Sequence, residues 1–368
     1  MKNNLSRKDF LRKSALALAG FPALASLEFP NIIIPKRKDK IGVALVGLGS
    51  YSNTRLAPGL QLTEHCELRG IVTGTPSKIP VWQERYQIPD ANIYNYENMH
   101  QIANNDEIDV VYIVLPTGLH ARYAIIGADA GKNVWCEKPM AKTVEDCQKV
   151  INAANKNKIQ LTIGYRLQHE PNNQKVMGFT RNKTYGEIQE VKTGAGYNGG
   201  HREGNWRRSA ELGGGALYDM GVYPINAARY ATQMEPFRVR GRQWSERNEM
   251  YNEVDEFSEF EMEFANDTIA KGETAFGKSS NYLNVTATKG WYRLRPFQTY
   301  SSVRGEASNG IKLPANPNHQ QARQMDNDAL ALKEGKAPVV PGEEGLKDIR
   351  IVQAIMESSR EDGAWIEL

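Results

Sequence analysis

Residues 134–140, Val-Trp-Cys-Glu-Lys-Pro-Met, are the stretch of the sequence that says most about chemistry. Its apolar residues predict the end of a buried strand, and Glu137-Lys138-Pro139 predicts the turn after it. A glycine-rich turn, Gly47-Leu48-Gly49, lies about 90 residues upstream, and a nucleotide-binding fold would bring the two turns together. Lys138 would then lie over a nicotinamide ring, which favours an oxidoreductase. A cis peptide bond between Lys138 and Pro139 is a further hypothesis.

A carboxylate and a phenol follow three consecutive glycines in residues 213–223, Gly-Gly-Gly-Ala-Leu-Tyr-Asp-Met-Gly-Val-Tyr. A helix here would place Asp219 and Tyr223, at i and i+4, on one face. Oxidising an alcohol needs a hydride acceptor and a base for the hydroxyl proton. The pKa of free tyrosine is about 10, and an ammonium such as Lys138 would lower it.

Tyr223 is therefore the predicted proton-transfer group. Lys138 would orient the substrate hydroxyl and tune Tyr223, and Asp219 would position further substrate hydroxyls. The alternative is structural, with Asp219 as an acid near a helix N-terminus and Tyr223 as a packed side chain.

The composition excludes several classes of function. With 368 residues and 40% hydrophobic residues, the chain is expected to form two domains. The whole chain has a net charge of +3, and residues 1–25 alone hold five basic residues and one acidic residue. The remainder is close to neutral, which argues against nucleic-acid binding. The three cysteines lack paired spacing and the six histidines are scattered, so we predict no metal site and no disulfide framework.

The N-terminal segment predicts export. Residues 14–25 are apolar but too short to span a bilayer, and small residues before Ser26 suit cleavage near Ala25. Residues 6–13 resemble a twin-arginine signal, with Lys8 in place of the second arginine. We therefore expect residues 1–25 to be a signal and the mature protein to be periplasmic or secreted. The alternative is an amphipathic helix or membrane anchor. Residues 26–40 are predicted to be an extended arm, either a tether or a strand on a neighbouring subunit.

Residues 41–164 predict an α/β domain of the Rossmann type. Strands are predicted at 41–46, 68–72, 110–115, 133–136 and 160–163, separated by helices at 77–87, 97–104, 119–130 and 143–156. This alternation implies a parallel sheet with helices on both faces.

The turn after the first predicted strand has the context of a dinucleotide site, because a helix is expected from about Asn53. Gly47 permits the tight turn, and Gly49 lets a pyrophosphate approach the backbone at a helix N-terminus. Ser50 and Tyr51 would line this turn, while Ser52 takes the place of the third glycine.

The second strand ends without an Asp or Glu, the residue that would bind the ribose 2′-hydroxyl of NAD. Thr73, Ser77 and Lys78 could instead hold a 2′-phosphate, which favours NADP, with NAD as the alternative. Lys78 could equally be a solvated lysine at the start of a helix.

Leu115 and Pro116 end the next predicted strand, where α/β folds place ligands. They are predicted to contact the cofactor. His120 either lies near the cofactor or only begins the next helix.

Taken together, the Gly47 turn, Glu137-Lys138-Pro139 and residues 213–223 resemble the superfamily of glucose–fructose oxidoreductase, inositol dehydrogenase and rhizopine-catabolism proteins (Gfo/Idh/MocA). The resemblance covers the chain after residue 40. Tyrosine at 223, Trp206-Arg207 and residues 341–346 are most similar to the glucose–fructose oxidoreductase branch.

The resemblance implies a periplasmic sugar oxidoreductase that keeps NADP bound and can use a second sugar as acceptor. It implies catalytic roles for Lys138, Asp219 and Tyr223, and cofactor contacts from Glu137, Lys138 and Arg166. It also implies an arm that crosses to a neighbouring subunit, and so a homo-oligomer, either a dimer or a tetramer.

By the same resemblance, Tyr165 and Arg166 face the cleft and help shape the sugar site. His201, Arg202, Trp206 and Arg207 would line it from the second domain. The alternative for this Arg/Trp cluster is a subunit interface.

Residues 165–318 predict a second, α+β domain with one large, open, mainly antiparallel sheet. Its strands are expected at 188–193, 257–264, 269–274, 283–288 and 291–294. Residues 319–368 predict helices, at 319–334 and 346–360, the second of which returns to the first domain.

The favoured function is hydride transfer from a pyranose hydroxyl or anomeric carbon to tightly bound NADP. Two alternatives remain open. One is a glycosidase that uses NAD for transient oxidation and elimination, and the other is a non-catalytic nucleotide-binding partner protein.

Overall fold

The computed structural model describes residues 39–317 and 319–368. The predicted signal and all but the last two residues of the predicted arm lie outside the described residues. Within those residues, no helix combines the length and the apolar character that a membrane crossing would need.

A six-stranded parallel sheet forms the N-terminal domain. Its strands are β1 (Ile41–Val46), β2 (Cys66–Val72), β3 (Ile93–Tyr94), β4 (Val110–Ile113), β5 (Asn133–Cys136) and β6 (Leu161–Ile163). They are ordered β3-β2-β1-β4-β5-β6, and every neighbouring pair is parallel. Their near-continuous apolar runs suit strands covered on both faces, and all four residues of β4 are buried.

Four helices connect these strands. They are α1 (Ala57–Leu60), which continues a π-helical turn at Ser52–Leu56, then α2 (Ile79–Tyr86), α3 (Thr117–Asp129) and α4 (Val144–Asn157). Helix α4 begins where the Thr143 side chain accepts a hydrogen bond from the Asp146 amide, as N-cap residues do. The segment predicted as a helix at 97–104 is a 3₁₀ helix, Met99–Asn104.

A nine-stranded sheet forms the second domain. Its strands are β7 (Ile188–Asn198), β8 (Pro236–Trp244), β9 (Phe257–Phe264), β10 (Ile269–Ala275), β11 (Gly277–Ala287), β12 (Gly290–Leu294), β13 (Gly305–Ala307), β14 (Lys312–Leu313) and β15 (Ile366–Glu367). The order is β14-β13-β12-β11-β7-β10-β9-β8-β15. All neighbours are antiparallel except β7 and β10, which are parallel. The predicted fold class is confirmed in both domains.

The remaining helices are α5 (Pro171–Arg181), α6 (Val222–Thr232), α7 (Gln320–Glu334) and α8 (Gly342–Arg360). Helix α6 follows a π-helical turn at Leu217–Gly221. Helix α8 packs on α4 and β6 of the first domain, as predicted, and also on β8 of the second sheet. It therefore contacts both domains.

A buried charge cluster fixes helix α6 to helix α8. The guanidinium of Arg229, only 1% exposed, donates to Asp348, to Glu344 at 2.7 Å and to Glu235 at 2.6 Å. Asp348 is fully buried and also accepts from Asn226 at 2.9 Å. Because buried charges are stable only when paired, these partners must stay together for the domains to keep their arrangement.

We predict that Arg229→Leu lowers the free energy of unfolding by about 3–5 kcal/mol, because it leaves the Asp348 carboxyl buried without its charge partner. Urea denaturation measures this change. The matched control is Arg240→Gln, which breaks the half-exposed pair with Glu261 and should cost less than about 1 kcal/mol. Equal losses in the two variants would contradict the assigned role of the cluster.

Candidate active site

A cavity of about 1090 Å³ lies between the carboxyl ends of the parallel strands and the second sheet. Its wall at one end is the turn after β1, with Gly47, Gly49, Ser50 and Tyr51. Gly47 has φ +100°, and a Cβ there would meet the Val114 carbonyl oxygen at 2.4 Å. Only glycine fits this turn, as the sequence analysis predicted.

Residues at the end of β2 line the same part of the cavity. Thr73 and Lys78 are on the wall together with Gly74 and Thr75, whereas Ser77 is exposed and lies off it. The Lys78 ammonium donates to the Leu48 carbonyl at 2.8 Å. Lys78 is thus held against the glycine turn rather than projecting into solvent as a helix-start lysine.

Leu115, Pro116, Glu137 and Lys138 also lie on the wall, at the ends of β4 and β5. The Lys138–Pro139 peptide bond is cis, as hypothesised. His120 is buried behind this wall, where its ring nitrogens lie 2.8 Å from the Pro139 carbonyl oxygen and 2.7 Å from that of Leu115. His120 therefore supports both loops and begins helix α3 rather than facing the cavity.

The predicted catalytic side chains converge on the cavity from both domains. The Lys138 ammonium donates to the Asp219 backbone oxygen at 2.7 Å and lies 3.9 Å from the Asp219 carboxylate. It also lies 4.4 Å from the centre of the Tyr223 ring. Because Asp219 is on the π-helical turn and Tyr223 is on α6, four residues apart, both face Lys138 as the spacing predicted.

The Asp219 carboxylate is a buried anion held by cations. The Arg207 guanidinium donates to it at 2.7 Å and stacks 4.5 Å over the Trp206 ring. Burial opposes ionisation, but Arg207 and then Lys138 outweigh it and hold the pKa of Asp219 below its usual value. Burial likewise opposes the charge on Lys138, but Tyr223, Asp219 and Glu137 raise its pKa. The site thus contains an ammonium and a carboxylate, both charged at neutral pH.

Two predicted sugar-site residues lie on opposite sides of the turn after β6. Arg166 is buried behind the wall, with its guanidinium 5.4 Å from the Tyr223 ring centre and 4.7 Å from that of Tyr300. Tyr165 does not face the cleft, contrary to expectation. It is 1% exposed and lies beside Asp348 and Arg229. The Tyr165 amide closes a tight turn onto the Ile163 carbonyl at 2.7 Å, and a 3₁₀ helix begins at Arg166. Gly164 and Arg166 therefore lie near Glu137, while Tyr165 points away.

The second domain contributes residues that carried no recognisable motif. Trp206 and Arg207 line the cavity as predicted, together with Tyr197, Asn281, Gln298 and Tyr300. His201 lies behind them, 2.7 Å from the Tyr197 hydroxyl and 2.9 Å from that of Tyr251. Arg55, one turn beyond the glycine turn, stacks 4.2 Å over Tyr300. No sequence pattern ties these residues to the site, because their positions depend on the folded sheet.

No group of three or more His, Cys, Asp or Glu side chains suited to a metal ion occurs in the part of the chain that the structure describes. The three cysteines are buried and free.

Comparisons with known proteins agree with this architecture. A family model described as an oxidoreductase family with an NAD-binding Rossmann fold matches residues 41–165, and the GFO/IDH/MocA C-terminal domain matches residues 174–293. The structure is similar to that of aldose–aldose oxidoreductase from Caulobacter crescentus in complex with glycerol, with TM-score 0.86 and 34% identity. That match covers 89% of this chain and 100% of the other.

Two further relatives are less similar in sequence. D-xylose 1-dehydrogenase [NADP(+)] from Haloarcula marismortui is 26% identical over 331 residues, which cover 86% of this chain and 90% of the relative. An inositol dehydrogenase homolog from Azotobacter vinelandii, complexed with NAD+, is only 15% identical and shares the fold, with TM-score 0.78 over 90% of this chain and 98% of the other. The predictions of a dinucleotide cofactor and of an oxidoreductase are confirmed: the chain belongs to the Gfo/Idh/MocA family of NAD(P)-dependent oxidoreductases.

Proposed function

We propose that this protein oxidises a sugar at a pyranose hydroxyl or at the anomeric carbon, transferring hydride to tightly bound NADP. The observation that carries this proposal is the convergence of Lys138, Asp219 and Tyr223 on the wall of the same cavity that the glycine turn lines. Pockets for single ligands measure about 300–1,000 Å³. A volume of about 1090 Å³ lies at the upper limit of this range, as expected for a site that holds a large ligand.

The relatives support a sugar as the substrate and NADP as the cofactor. One is named for D-xylose and NADP(+), and another for oxidoreduction between two aldoses. The second name supports a reaction in which a second sugar accepts the hydride. Such a reaction needs no cofactor release between the two halves.

The residues on the wall fit a dinucleotide. A Cβ placed on Gly49 would meet nothing within 4 Å, so this part of the turn is open for the approach of a pyrophosphate. Thr73 and Lys78 supply a hydroxyl and an ammonium where NAD-specific folds have an acid. When bound, the nicotinamide accepts or returns a hydride.

The protein side chains would bind the sugar and move its proton. Tyr223 would take the proton from the reacting hydroxyl, because its phenol lies beside a permanent ammonium, Lys138. Lys138 is itself held in place by the backbone oxygen of Asp219. The Asp219 carboxylate, fixed by Arg207, would accept hydrogen bonds from further sugar hydroxyls. Trp206 offers an apolar face for the C–H surface of a pyranose ring.

Export, periplasmic location and a homo-oligomer complete the proposal. The basic, apolar and small-residue pattern of residues 1–25 supports export. N-terminal sequencing of protein recovered from the periplasm should begin at Ser26. A chain that retains Met1 in the cytoplasm would contradict this part.

We predict that Gly49→Ala weakens NADP binding at least about tenfold while leaving the melting temperature unchanged. The added methyl group has space in the unliganded fold but would occupy the path of the pyrophosphate. Isothermal titration calorimetry measures the affinity. The control is Gly178→Ala on helix α5, where the nearest atom to the new Cβ is the end of Arg181 at 4.0 Å. Unchanged NADP affinity in Gly49→Ala would contradict the assigned cofactor site.

The function itself is tested by the absorbance spectrum of the purified protein, taken before any cofactor is added. An aldose donor should produce a band at ~340 nm from a resident reduced nicotinamide, and a second sugar should remove it. Tyr223→Phe should retain the cofactor, extractable after denaturation, but slow both changes by at least about a hundredfold.

Two results would contradict the proposed function. In one, no sugar changes the spectrum of protein that contains the cofactor. In the other, the protein releases the aglycone of a chromogenic glycoside, which would instead favour the glycosidase alternative.

A further inference from the structure

Helix α7 buries a polar stripe beside the apolar residues Ala322, Met325 and Ala329. Gln320, Gln324 and Asp328 follow one another at intervals of four residues and are 3%, 1% and 0% exposed. The buried stripe of a helix is normally apolar, and burying an amide is costly unless it is hydrogen-bonded. The contacts of this stripe therefore indicate what it does.

The stripe is hydrogen-bonded to Tyr112 and Arg166, the two side chains that flank Glu137. The Gln324 amide donates to the Tyr112 hydroxyl at 3.1 Å, and that hydroxyl donates to the Glu137 carboxylate at 2.7 Å. The Gln320 side-chain oxygen accepts from the Arg166 guanidinium at 2.6 Å. The two hydrogen bonds thus run in series from Gln324 through Tyr112 to Glu137. A hydroxyl that accepts one hydrogen bond donates the next more strongly.

At the other end of the stripe, burial favours the neutral forms of an acid and a histidine. The Asp328 carboxyl lies 4.0 Å from His169, and both side chains are fully buried. Burial raises the pKa of Asp328 well above its usual value and lowers the pKa of His169 to about 3. Of the two carboxyls along this hydrogen-bonded network, Glu137 is the one whose cationic neighbours, Lys138 and Arg166, favour its charged form.

Glu137 lies on the cavity wall at 6% exposure. Its carboxylate packs so closely on Gly164 that a Cβ there would come within 2.8 Å of it. Burial raises the pKa of Glu137, while the Tyr112 hydrogen bond, Lys138 and Arg166 oppose that rise. The titratable groups that face it are Lys138, Arg166, Tyr51, Tyr112, Tyr300 and Cys136.

We propose that Tyr112 and Gln324 are positioning residues for the proposed reaction, because their donors keep Glu137 a carboxylate. That carboxylate balances Arg166, which with Lys138 faces the ring of Tyr223. Without it, Arg166 would face the proton-transfer group without a balancing carboxylate, whereas Lys138 would keep Asp219. The catalytic consequence rests on the proposed function, whereas the charge on Glu137 does not.

The charge is tested without substrate or cofactor, by thermal unfolding of Tyr112→Phe between about pH 5 and about pH 8. A raised pKa means that the folded protein binds this proton more tightly than the unfolded chain, so the contribution of Glu137 to stability falls as pH rises. Loss of the Tyr112 hydroxyl raises this pKa further. The difference in melting temperature from wild type should therefore grow with pH.

Tyr94→Phe is the matched control. Its hydroxyl accepts from Asn105 at 2.9 Å in the same domain, so its effect should not depend on pH. In a Glu137→Gln background, Tyr112→Phe should also lose its pH dependence. A pH-independent effect of Tyr112→Phe in the wild-type background would overturn the proposal, because a purely structural hydroxyl behaves that way.

The catalytic role is tested by the pH profile of sugar oxidation. Tyr112→Phe should move the acid limb to higher pH by about one unit, which is a tenfold change in the proton affinity of Glu137. Gln324→Met should move it less, in the same direction. An unmoved limb would overturn the positioning role. If the wild-type protein oxidises no sugar, the proposed function fails. The melting experiment then still decides whether Tyr112 and Gln324 keep Glu137 charged.

Discussion

The hydrogen bond from the Lys138 ammonium to the Asp219 backbone crosses the boundary between the two domains. The side chains of both residues are about a tenth exposed, and a buried ammonium is stable only when acceptors surround it. Lys138 sits on a rigid turn after β5, so its acceptors must be brought to it by the second domain. The placement of the π-helical turn and helix α6 is therefore constrained by one charge on the first domain.

The rest of the fold maintains that placement. Helix α8 packs on both domains, and the Arg229 cluster fixes α6 to it. Helix α7 supports the opposite side of the site through Arg166 and Tyr112. The charges near Tyr223 thus depend on helices α6, α7 and α8 as well as on the turn that carries Lys138. This dependence explains why so many polar side chains in this region are buried.

Local signals in the sequence predicted the first domain and the centre of the site. Apolar runs identified the parallel strands, the i, i+4 spacing identified the shared face of Asp219 and Tyr223, and the glycine turn identified the dinucleotide end. The Tyr165 prediction was wrong because the chain turns sharply after β6, and this tight turn directs Tyr165 away from the cavity. Tyr197, Asn281, Gln298 and Tyr300 were missed, as was strand β8. Their positions depend on long-range register in the nine-stranded sheet, including the parallel pairing of β7 with β10.

A crystal structure of the mature protein with NADP and an unreactive sugar analogue tests the central claim most directly. We expect the nicotinamide ring to lie beside Lys138, with its C4 atom about 3–3.5 Å from the reacting carbon of the sugar. The Tyr223 hydroxyl should lie about 3–3.5 Å from the hydroxyl oxygen on that carbon. A nicotinamide bound elsewhere, with C4 out of contact with any group held by Lys138, Asp219 and Tyr223, would contradict the account.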